Sequence, residues 1–337
     1  MKISVYPYRL VFRHPFAIAY GMRSHTDVVY VKIQHREHTG WGEAALPPYL
    51  RETPESVRQF LEAHIPAMER MCSIAEAAEY LKHIYPVNYP AVAALDMALW
   101  HLRMLTGERI EEHTAGLPRR KPLNTYTIGI SDERTMQQKI ADALAYGFRL
   151  FKIKLNGKDD ELQIKTFRRF TELPFGADAN QAWQDISEAS DKAAWLREAG
   201  CIWIEQPFAA QRDAELAALL KSKNILPVFA DESCHTLADL QKINEAYDGV
   251  NIKLMKCGGI TPAIEMIREA RAMNLQILLG CMSESTVGCR AAALLAVYAD
   301  YTDLDGPYLI ENDCFTGVAM HEGSVEAGDL VQHSNTL

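Results

Sequence analysis

Residues 150–180 read LFKIKLNGKDDELQIKTFRRFTELPFGADAN, and this stretch decides the fold. Two short apolar runs, 150–154 and 175–179, flank an amphipathic segment that begins near Asp159. A strand, a helix and a second strand within about 30 residues are typical of parallel strands joined by a right-handed crossover. The stretch therefore predicts one βαβ unit of a parallel sheet.

The same unit recurs on both sides of this stretch, so that eight apolar runs alternate with seven amphipathic segments. The predicted strands are 126–130, 150–154, 175–179, 202–205, 228–230, 250–254, 276–279 and 308–310, and the helices begin near Asp132, Asp159, Ile186, Arg212, Leu237, Thr261 and Ser285. Eight parallel strands favour a closed TIM-like barrel of the (β/α)7β type over residues 118–315. Periodicity does not reveal closure, so an open doubly wound sheet is the alternative.

The first 117 residues follow a different pattern and predict a separate α+β domain. Apolar and polar residues alternate over 3–11 and 28–34, as they do in strands with one buried face. Thr53-Pro54-Glu55 starts the first of three helices, since it combines an N-cap hydroxyl, an N1 proline and a first-turn acid. The polar, glycine-rich segment 316–337 cannot form its own core, and we expect it to return to this first domain.

Composition excludes several classes of protein. With 35 Lys and Arg against 44 Asp and Glu, the chain has a formal charge of −9 and no basic tract, which excludes electrostatic binding of nucleic acid. The longest apolar run, 291–299, is far shorter than the roughly 20 residues that span a bilayer, so no membrane association is expected. The N-terminus lacks a signal-peptide pattern and the seven cysteines form no CxxC pair, which indicates a reduced, cytoplasmic protein.

Three acidic residues lie at the ends of consecutive predicted strands of the barrel. Asp178, Glu205 and Asp231 lie 27 and 26 residues apart, one in each βα unit. Because a parallel barrel presents its active site at the carboxyl ends of its strands, these carboxylates should converge on one place. One such acid alone would be interpreted as a helix N-cap. Three acids at equivalent positions of successive βα units need a cation to offset their mutual repulsion. An all-oxygen set favours Mg²⁺, with Mn²⁺ as the alternative.

Lysines flank these acids on both sides. Lys154 lies one unit before Asp178, and Lys256 lies one unit after Asp231, so the two should approach the metal from opposite sides. Lys152 shares the interior face with Lys154 because side chains in a strand alternate with period two. A lysine near a cation and another lysine has a lowered pKa and can act as a base. One metal with a base on each side predicts a racemase or an epimerase acting on a carbon acid.

Together these motifs resemble those of the enolase superfamily, in particular the dipeptide epimerases of its muconate-lactonizing subgroup. The resemblance covers nearly the whole chain and rests on Gly42-Glu43, Lys152-x-Lys154, Asp178-Ala-Asn180, Ile204-Glu205-Gln206-Pro207, Asp231-Glu232-Ser233 and Asn251-Ile-Lys-Leu-Met-Lys256-Cys-Gly-Gly259. It implies that the first domain caps the barrel, and that the site uses a metal-stabilised enediolate with lysine bases. A homo-oligomer that binds one Mg²⁺ per subunit is also expected.

The resemblance assigns a role to each of these residues. It implies that Asp178, Glu205 and Asp231 bind Mg²⁺, that Lys154 and Lys256 are the paired acid/base catalysts, and that Lys152 orients the substrate carboxylate or tunes its neighbour. Cycloisomerases, o-succinylbenzoate synthases and acylamino-acid racemases of the subgroup share both lysines, so the lysines do not choose among these activities. Asp303-Leu304-Asp305, placed just before the predicted eighth strand, resembles the Asp-x-Asp pair that binds a dipeptide's free ammonium. The alternative for this segment is a solvated turn.

The expected activity is therefore epimerisation of the C-terminal residue of an L-Ala-D/L-Xaa dipeptide, of the kind released from peptidoglycan. Phe16 in the loop 16–26, together with Thr127, Met282 and Ser283, matches positions that contact substrate in relatives. Gly21 stands where glutamate-specific relatives carry an arginine, and Arg23 follows two positions later, which leaves a glutamate or a neutral side chain open. The alternatives are an N-acylamino-acid racemase or o-succinylbenzoate synthase on the same scaffold, and a non-catalytic metal-binding barrel. Glu284 is expected to cap the helix that follows it, and support of Lys256 is the alternative.

Overall fold

The computed structural model describes residues 1–18, 21–47, 50–85, 87–210, 213–333 and 337, and of residues 16–18 it describes the backbone alone. The strands are β1 (Lys2–Ile18), β2 (Gly21–His35), β3 (His38–Leu46), β4 (Leu123–Ile128), β5 (Leu150–Lys154), β6 (Phe175–Asp178), β7 (Cys201–Glu205), β8 (Val228–Ala230), β9 (Gly249–Lys253), β10 (Gln276–Gly280), β11 (Tyr301–Asp303), β12 (Phe315–His321) and β13 (Ser324–Gln332). The helices are α1 (Pro54–Glu69), α2 (Ile74–Ile84), α3 (Tyr89–Leu105), α4 (Ile110–His113), α5 (Glu133–Ala145), α6 (Asp160–Arg168), α7 (Ile186–Glu198), α8 (Asp213–Ser222), α9 (Leu240–Ala246), α10 (Leu254–Cys257), α11 (Ile260–Ala272), α12 (Thr286–Ala293) and α13 (Gly306–Leu309). The predicted helix start at Arg212 lies outside the described residues.

Strands β4 to β11 form a closed parallel barrel, with β11 pairing with both β10 and β4. The barrel prediction is confirmed, and the open sheet is excluded. Helices between the strands pack their apolar faces against the barrel, as Ile264 and Ile267 of α11 do.

The eighth strand was placed wrongly at 308–310. It is β11, which has three residues and pairs with β4 only through Tyr301 and Thr302. Gly306-Pro307 instead starts α13, because proline fits the first turn of a helix and cannot donate to a strand ladder. The correction moves Asp303 to the carboxyl end of the eighth strand, where barrel active sites lie.

The N-terminal unit is a three-stranded antiparallel sheet, β1-β2-β3, that packs against α3. As predicted, α1 begins after Thr53, whose hydroxyl accepts a hydrogen bond from Ser56 N. Helix α3 is buried over most of its length. The sheet approaches α3 so closely that a Cβ on Gly42 would lie 1.8 Å from Ala94 O, so this position requires glycine.

The C-terminal segment forms the hairpin β12-β13. Its first residue, Phe315, packs its ring against Trp41 and Tyr30 of the N-terminal unit, with centroids 5.0 and 5.4 Å apart. The rest lies along α12, where Arg290 Nε donates to Gly328 O at 2.6 Å. The boundaries at residues 117 and 315, and the homo-oligomer, stay predictions. Within the part of the chain that the structure describes, no helix is long and apolar enough to cross a bilayer.

Candidate active site at the mouth of the barrel

A cavity of about 660 Å³ opens at the carboxyl ends of the barrel strands, under residues of the N-terminal unit. Nine residues that the sequence predicted as functional line it: Thr127, Lys152, Lys154, Asp231, Lys256, Met282, Ser283, Asp303 and Asp305. The side chain of Phe16, also predicted to line the site, lies outside the described residues.

The three acids predicted to bind metal form one buried cluster. Asp178 pairs in register with Glu205 across β6 and β7, and Asp231 follows β8. Each offers an oxygen, and these oxygens all lie within 4.8 Å of one another. Burial and the charge of Asp178 raise the pKa of Glu205 to about 8. Glu205 Oε2 is buried without a hydrogen-bond partner among the described residues. Such a set of crowded carboxylate oxygens fits a hard divalent cation such as Mg²⁺.

Lysines form ion pairs with the outer two acids of this cluster. Lys154 Nζ lies 2.6 Å from Asp178 Oδ2, and Lys256 Nζ lies 2.6 Å from Asp231 Oδ1. Lys253 also contacts Asp231, with Nζ 2.6 Å from Oδ2. Sequence reasoning gave Lys253 no role, although the period-two alternation that placed Lys152 inside the barrel applies equally to β9.

The two predicted bases come from opposite sides of the barrel. Lys154 ends β5, the second strand, and Lys256 follows β9, the sixth strand. In the closed order β10-β11-β4-β5-β6-β7-β8-β9, these strands are four steps apart in either direction, which is half the circumference. Their Nζ atoms therefore reach the cavity from facing walls.

Lys152 lies between the acid cluster and the eighth strand. Its Nζ forms an ion pair with Asp303 and lies 3.5 Å from Glu205 Oε2 and 3.7 Å from Asp178 Oδ2. Burial lowers the pKa of Lys152, but the charges of these three carboxylates outweigh burial and raise it well above its ordinary value. The protonated form of Lys152 is therefore favoured in this arrangement of carboxylates.

Asp303 and Asp305 are buried and both line the cavity, which excludes the solvated turn. Asp303 Oδ1 accepts from Thr125 Oγ1 at 2.5 Å and Thr127 Oγ1 at 3.1 Å, and Asp305 Oδ2 accepts from Thr127 N at 2.6 Å. Burial raises the pKa of Asp303, but the Lys152 charge more than offsets it and leaves the pKa below its ordinary value. Burial and the Asp303 charge raise the pKa of Asp305 to about 7.

A layer of polar side chains behind the acid cluster was not predicted. Gln206 Oε1 accepts from Asp231 N at 2.9 Å and from Ser233 N at 3.1 Å, so it ties the end of β7 to the next acid-bearing loop. Asn251 Nδ2 donates to Glu205 Oε1 at 2.7 Å. The sequence shows that Gln206 follows an acid, but it does not show which neighbouring loop the amide reaches.

The expectation that Glu284 caps the next helix was wrong. Ser285 is the N-cap of α12, whereas Glu284 accepts from Met282 N at 2.6 Å. The carboxylate that binds the start of α12 comes from Glu43 of β3, which accepts from Ser285 N and Gly288 N, both at 2.9 Å. A contact between residues more than 240 positions apart gives no local sequence signal.

Comparison with known families follows the same division of the chain. Residues 2–107 match the mandelate racemase / muconate lactonizing enzyme N-terminal domain, and residues 135–329 match the enolase C-terminal domain-like family. The chain belongs to the mandelate racemase and muconate lactonizing enzyme family. The resemblance to the enolase superfamily that the motifs indicated is thereby confirmed.

Members of this family that act on dipeptides are similar to the chain over nearly its full length. The L-Ala-D/L-Glu epimerase of Bacteroides thetaiotaomicron is 37% identical over 334 residues, which cover 98% of this chain and 86% of the relative. The hydrophobic dipeptide epimerase of Roseobacter litoralis is 33% identical, covering 100% of this chain and 99% of the relative. The structure of a dipeptide epimerase from Methylococcus capsulatus, complexed with Mg and L-Arg-D-Lys, has 27% identity and a TM-score of 0.89, covering 98% of this chain and 100% of that chain.

Proposed function

We propose that the chain is a Mg²⁺-dependent dipeptide epimerase that inverts the α-carbon of the C-terminal residue by a two-lysine 1,1-proton transfer. The observation that carries the proposal is the placement of charged groups on two axes across the barrel mouth. Lys154 and Lys256 face each other from β5 and β9. The acid cluster, centred on Glu205 of β7, faces Asp303 of β11, again four strands away in either direction.

A dipeptide zwitterion has charges that match the second axis. Its carboxylate belongs at the acid cluster, where Asp178, Glu205 and Asp231 would hold Mg²⁺. Bound Mg²⁺ would offset the negative charge that develops on the substrate carboxylate as the α-proton leaves. Its ammonium belongs at the other end of the axis, beside Asp303 and Asp305.

The α-carbon then lies between the two lysines. A neutral amine at one Nζ removes the α-proton, and the ammonium at the other Nζ returns a proton to the opposite face, which inverts the centre. The reverse reaction exchanges the two roles. Lys256 is oriented for this by backbone acceptors, since its Nζ donates to Asp231 O at 2.6 Å and to Asn251 O at 2.9 Å. Lys154 is oriented by Asp178.

The acidic pair favours a free amine over an N-acyl group. An ammonium donates three hydrogen bonds and is stabilised by a desolvated carboxylate, whereas a neutral acyl nitrogen or a succinyl carboxylate gains nothing there. Three donors, from Lys152, Thr125 and Thr127, already engage the Asp303 carboxylate, so Asp305 is the carboxylate with more capacity for the substrate. L-Ala-D/L-Xaa dipeptides from peptidoglycan turnover are the substrates that we propose.

The test is to incubate a dipeptide library with the protein and Mg²⁺ in D₂O and to measure the masses of the products by mass spectrometry after return to H₂O. We expect one carbon-bound deuteron at the second residue of the substrates, together with formation of the other diastereomer. N-succinyl and N-acetyl amino acids in the same incubation test the racemase alternative. Deuterium in these compounds alone would move the proposal to that activity, and incorporation into no compound would favour the non-catalytic metal-binding barrel.

A further inference from the structure

Side chains of the N-terminal unit, among them Tyr85 and Asp96, bind the loop that carries Lys256 and the start of the helix after it. Tyr85 OH donates to Cys257 O at 2.8 Å, one residue beyond the lysine. Asp96, a buried residue of α3, accepts from Thr261 N at 3.0 Å and from Thr261 Oγ1 at 2.6 Å. The loop is therefore fixed by β9 on one side and by the N-terminal unit on the other.

The loop is shaped to receive the Asp96 carboxylate. Helix α11 starts at Ile260, and its N-cap residue, Gly259, has no side chain with which to bind the first-turn N–H groups. Asp96 binds one of them from another part of the fold, and its charge also meets the positive end of the helix dipole. Gly259 has φ +122°, and a Cβ on it would lie 2.5 Å from Asp96 Oδ2. Glycine is thus required both by the backbone conformation and by the approach of the carboxylate.

We propose that Asp96, assisted by Tyr85, is a positioning residue that holds Lys256 on its own face of the substrate. Lys256 lies in the single helical turn α10, between the end of β9 and the start of α11. Displacement of the start of α11 is transmitted to this turn across only three residues, 257–259. The inference rests on the proposed function, because Lys256 serves one face of the substrate α-carbon only if it is one of two bases on opposite sides of the substrate.

The chain contains a matched control for this contact. Glu43 is also a buried carboxylate of the N-terminal unit bound to the start of a barrel helix, since it accepts from Ser285 N and Gly288 N. It fixes the loop after β10, which carries neither lysine. A general loss of contact between the two parts of the fold should therefore follow from Glu43→Gln as much as from Asp96→Asn.

The experiment measures α-proton exchange with D₂O separately for the L,L and L,D diastereomers of one dipeptide substrate. Lys256→Met identifies the diastereomer whose exchange depends on Lys256. In Asp96→Asn we expect exchange from that diastereomer to fall by about 10- to 100-fold, as for a misplacement of about 1 Å, and exchange from the other to stay near the wild-type rate. Glu43→Gln should change both rates by the same factor. Equal losses for both diastereomers in Asp96→Asn, or no loss, would overturn the proposal.

Two further measurements keep the proposal testable if Asp96→Asn folds poorly or no substrate is found. Thr261→Val removes the hydroxyl that donates to Asp96 and accepts from Trp100 Nε1 at 2.8 Å, and it should lower the same exchange rate, whereas Thr261→Ser keeps the hydroxyl and should retain the rate. Amide hydrogen exchange over residues 254–262, measured without substrate, should become faster in Asp96→Asn and Thr261→Val but not in Glu43→Gln. If the wild-type protein exchanges no dipeptide, the proposed function fails, and unchanged amide protection in this segment would separately reject the role of Asp96.

Discussion

The inner wall of the barrel mouth and the rim above it are built differently. The inner wall consists of side chains at strand ends or in the turns that follow them, such as Lys154, Asp178 and Lys256, each buried and held by a short ion pair. The rim includes Arg23 at the start of β2 and Arg51 before α1, of which Arg23 is partly buried and Arg51 is exposed. A group whose geometry sets the reaction rate must be held as rigidly as the inner wall is. A group that only selects a substrate side chain can function on the more exposed rim.

The largest effects should come from the inner wall. In Lys154→Met or Lys256→Met, epimerisation should fall by about 10²- to 10⁴-fold, because one of the two proton transfers loses its acid/base group. Each variant should keep α-proton exchange from one diastereomer only, and the two variants should keep opposite ones. Chiral chromatography measures the first effect, and mass spectrometry in D₂O measures the second. Loss of the same diastereomer's exchange in both variants would contradict opposed bases.

A smaller loss is expected at the eighth strand. Asp305→Asn should lower kcat/KM for free-amine dipeptides by about 10- to 100-fold, the effect of one charge-assisted hydrogen bond. Substitution of Asp303 is less informative because it also removes the partner of Lys152. N-acetylated dipeptides serve as the control, since their reaction does not use an ammonium site. If both substrate types lose activity equally, the carboxylate does not recognise the amine.

The rim should contribute selectivity rather than rate. Arg23 lines the cavity, and its guanidinium lies 5.8 Å from the centre of the Phe12 ring. Because a partly exposed ion pair is worth about 1 kcal/mol, Arg23→Gln should lower kcat/KM for L-Ala-L-Glu relative to L-Ala-L-Leu by about 3- to 10-fold. Competition between these two substrates in one tube measures the ratio directly. An unchanged ratio would assign the cavity to neutral side chains and leave Arg23 without a role in selection.

The same contrast explains what the sequence could predict. Asp178, Glu205 and Asp231 were found because each lies at the end of a strand or directly after it, and one regular repeat brings successive strand ends together. The displaced eighth strand shows the limit of this reasoning, because β11 has only the three residues Tyr-Thr-Asp and the nearby segment 308–310, Tyr-Leu-Ile, is more apolar. Asp303 was still identified despite this error, because the Asp303-Leu304-Asp305 motif was recognised independently of the strand assignment.

Contacts between distant parts of the chain were beyond prediction. Asp96 and Glu43 reach barrel helices 165 and more than 240 residues away, and no local pattern names a partner at that distance. Arg23 was identified as a candidate, but the substrate side chain that it selects depends on the shape of the cavity rather than on residue type. The sequence therefore predicts the residues that recur at the strand ends of the βα repeat. It does not predict which barrel residues the side chains of the N-terminal unit contact.

The smallest expected effect is on stability, and it tests whether the inner wall is assembled around a cation. The raised pKa of Glu205, about 8, means that the folded protein without metal binds a proton that the unfolded chain releases above about pH 4.5. Stability without metal should therefore fall as pH rises from about 4.5 to 8, and Glu205→Gln should make this fall shallower by up to one proton.

Magnesium should reverse the sign of this contribution, because a bound cation favours the ionised carboxylate. At 100 times its Kd, Mg²⁺ adds about 2.7 kcal/mol to the free energy of unfolding, which should raise Tm by several degrees at pH 8 in the wild-type protein but much less in Glu205→Gln. Thermal melts from pH 5 to 8, with EDTA or with Mg²⁺, measure both effects, and Glu161→Gln on the exposed face of α6 is the control. Equal increases of Tm by Mg²⁺ in Glu205→Gln and wild type would mean that the cation binds elsewhere. The carboxylates of the inner wall would then be held together by their ion pairs with lysines alone.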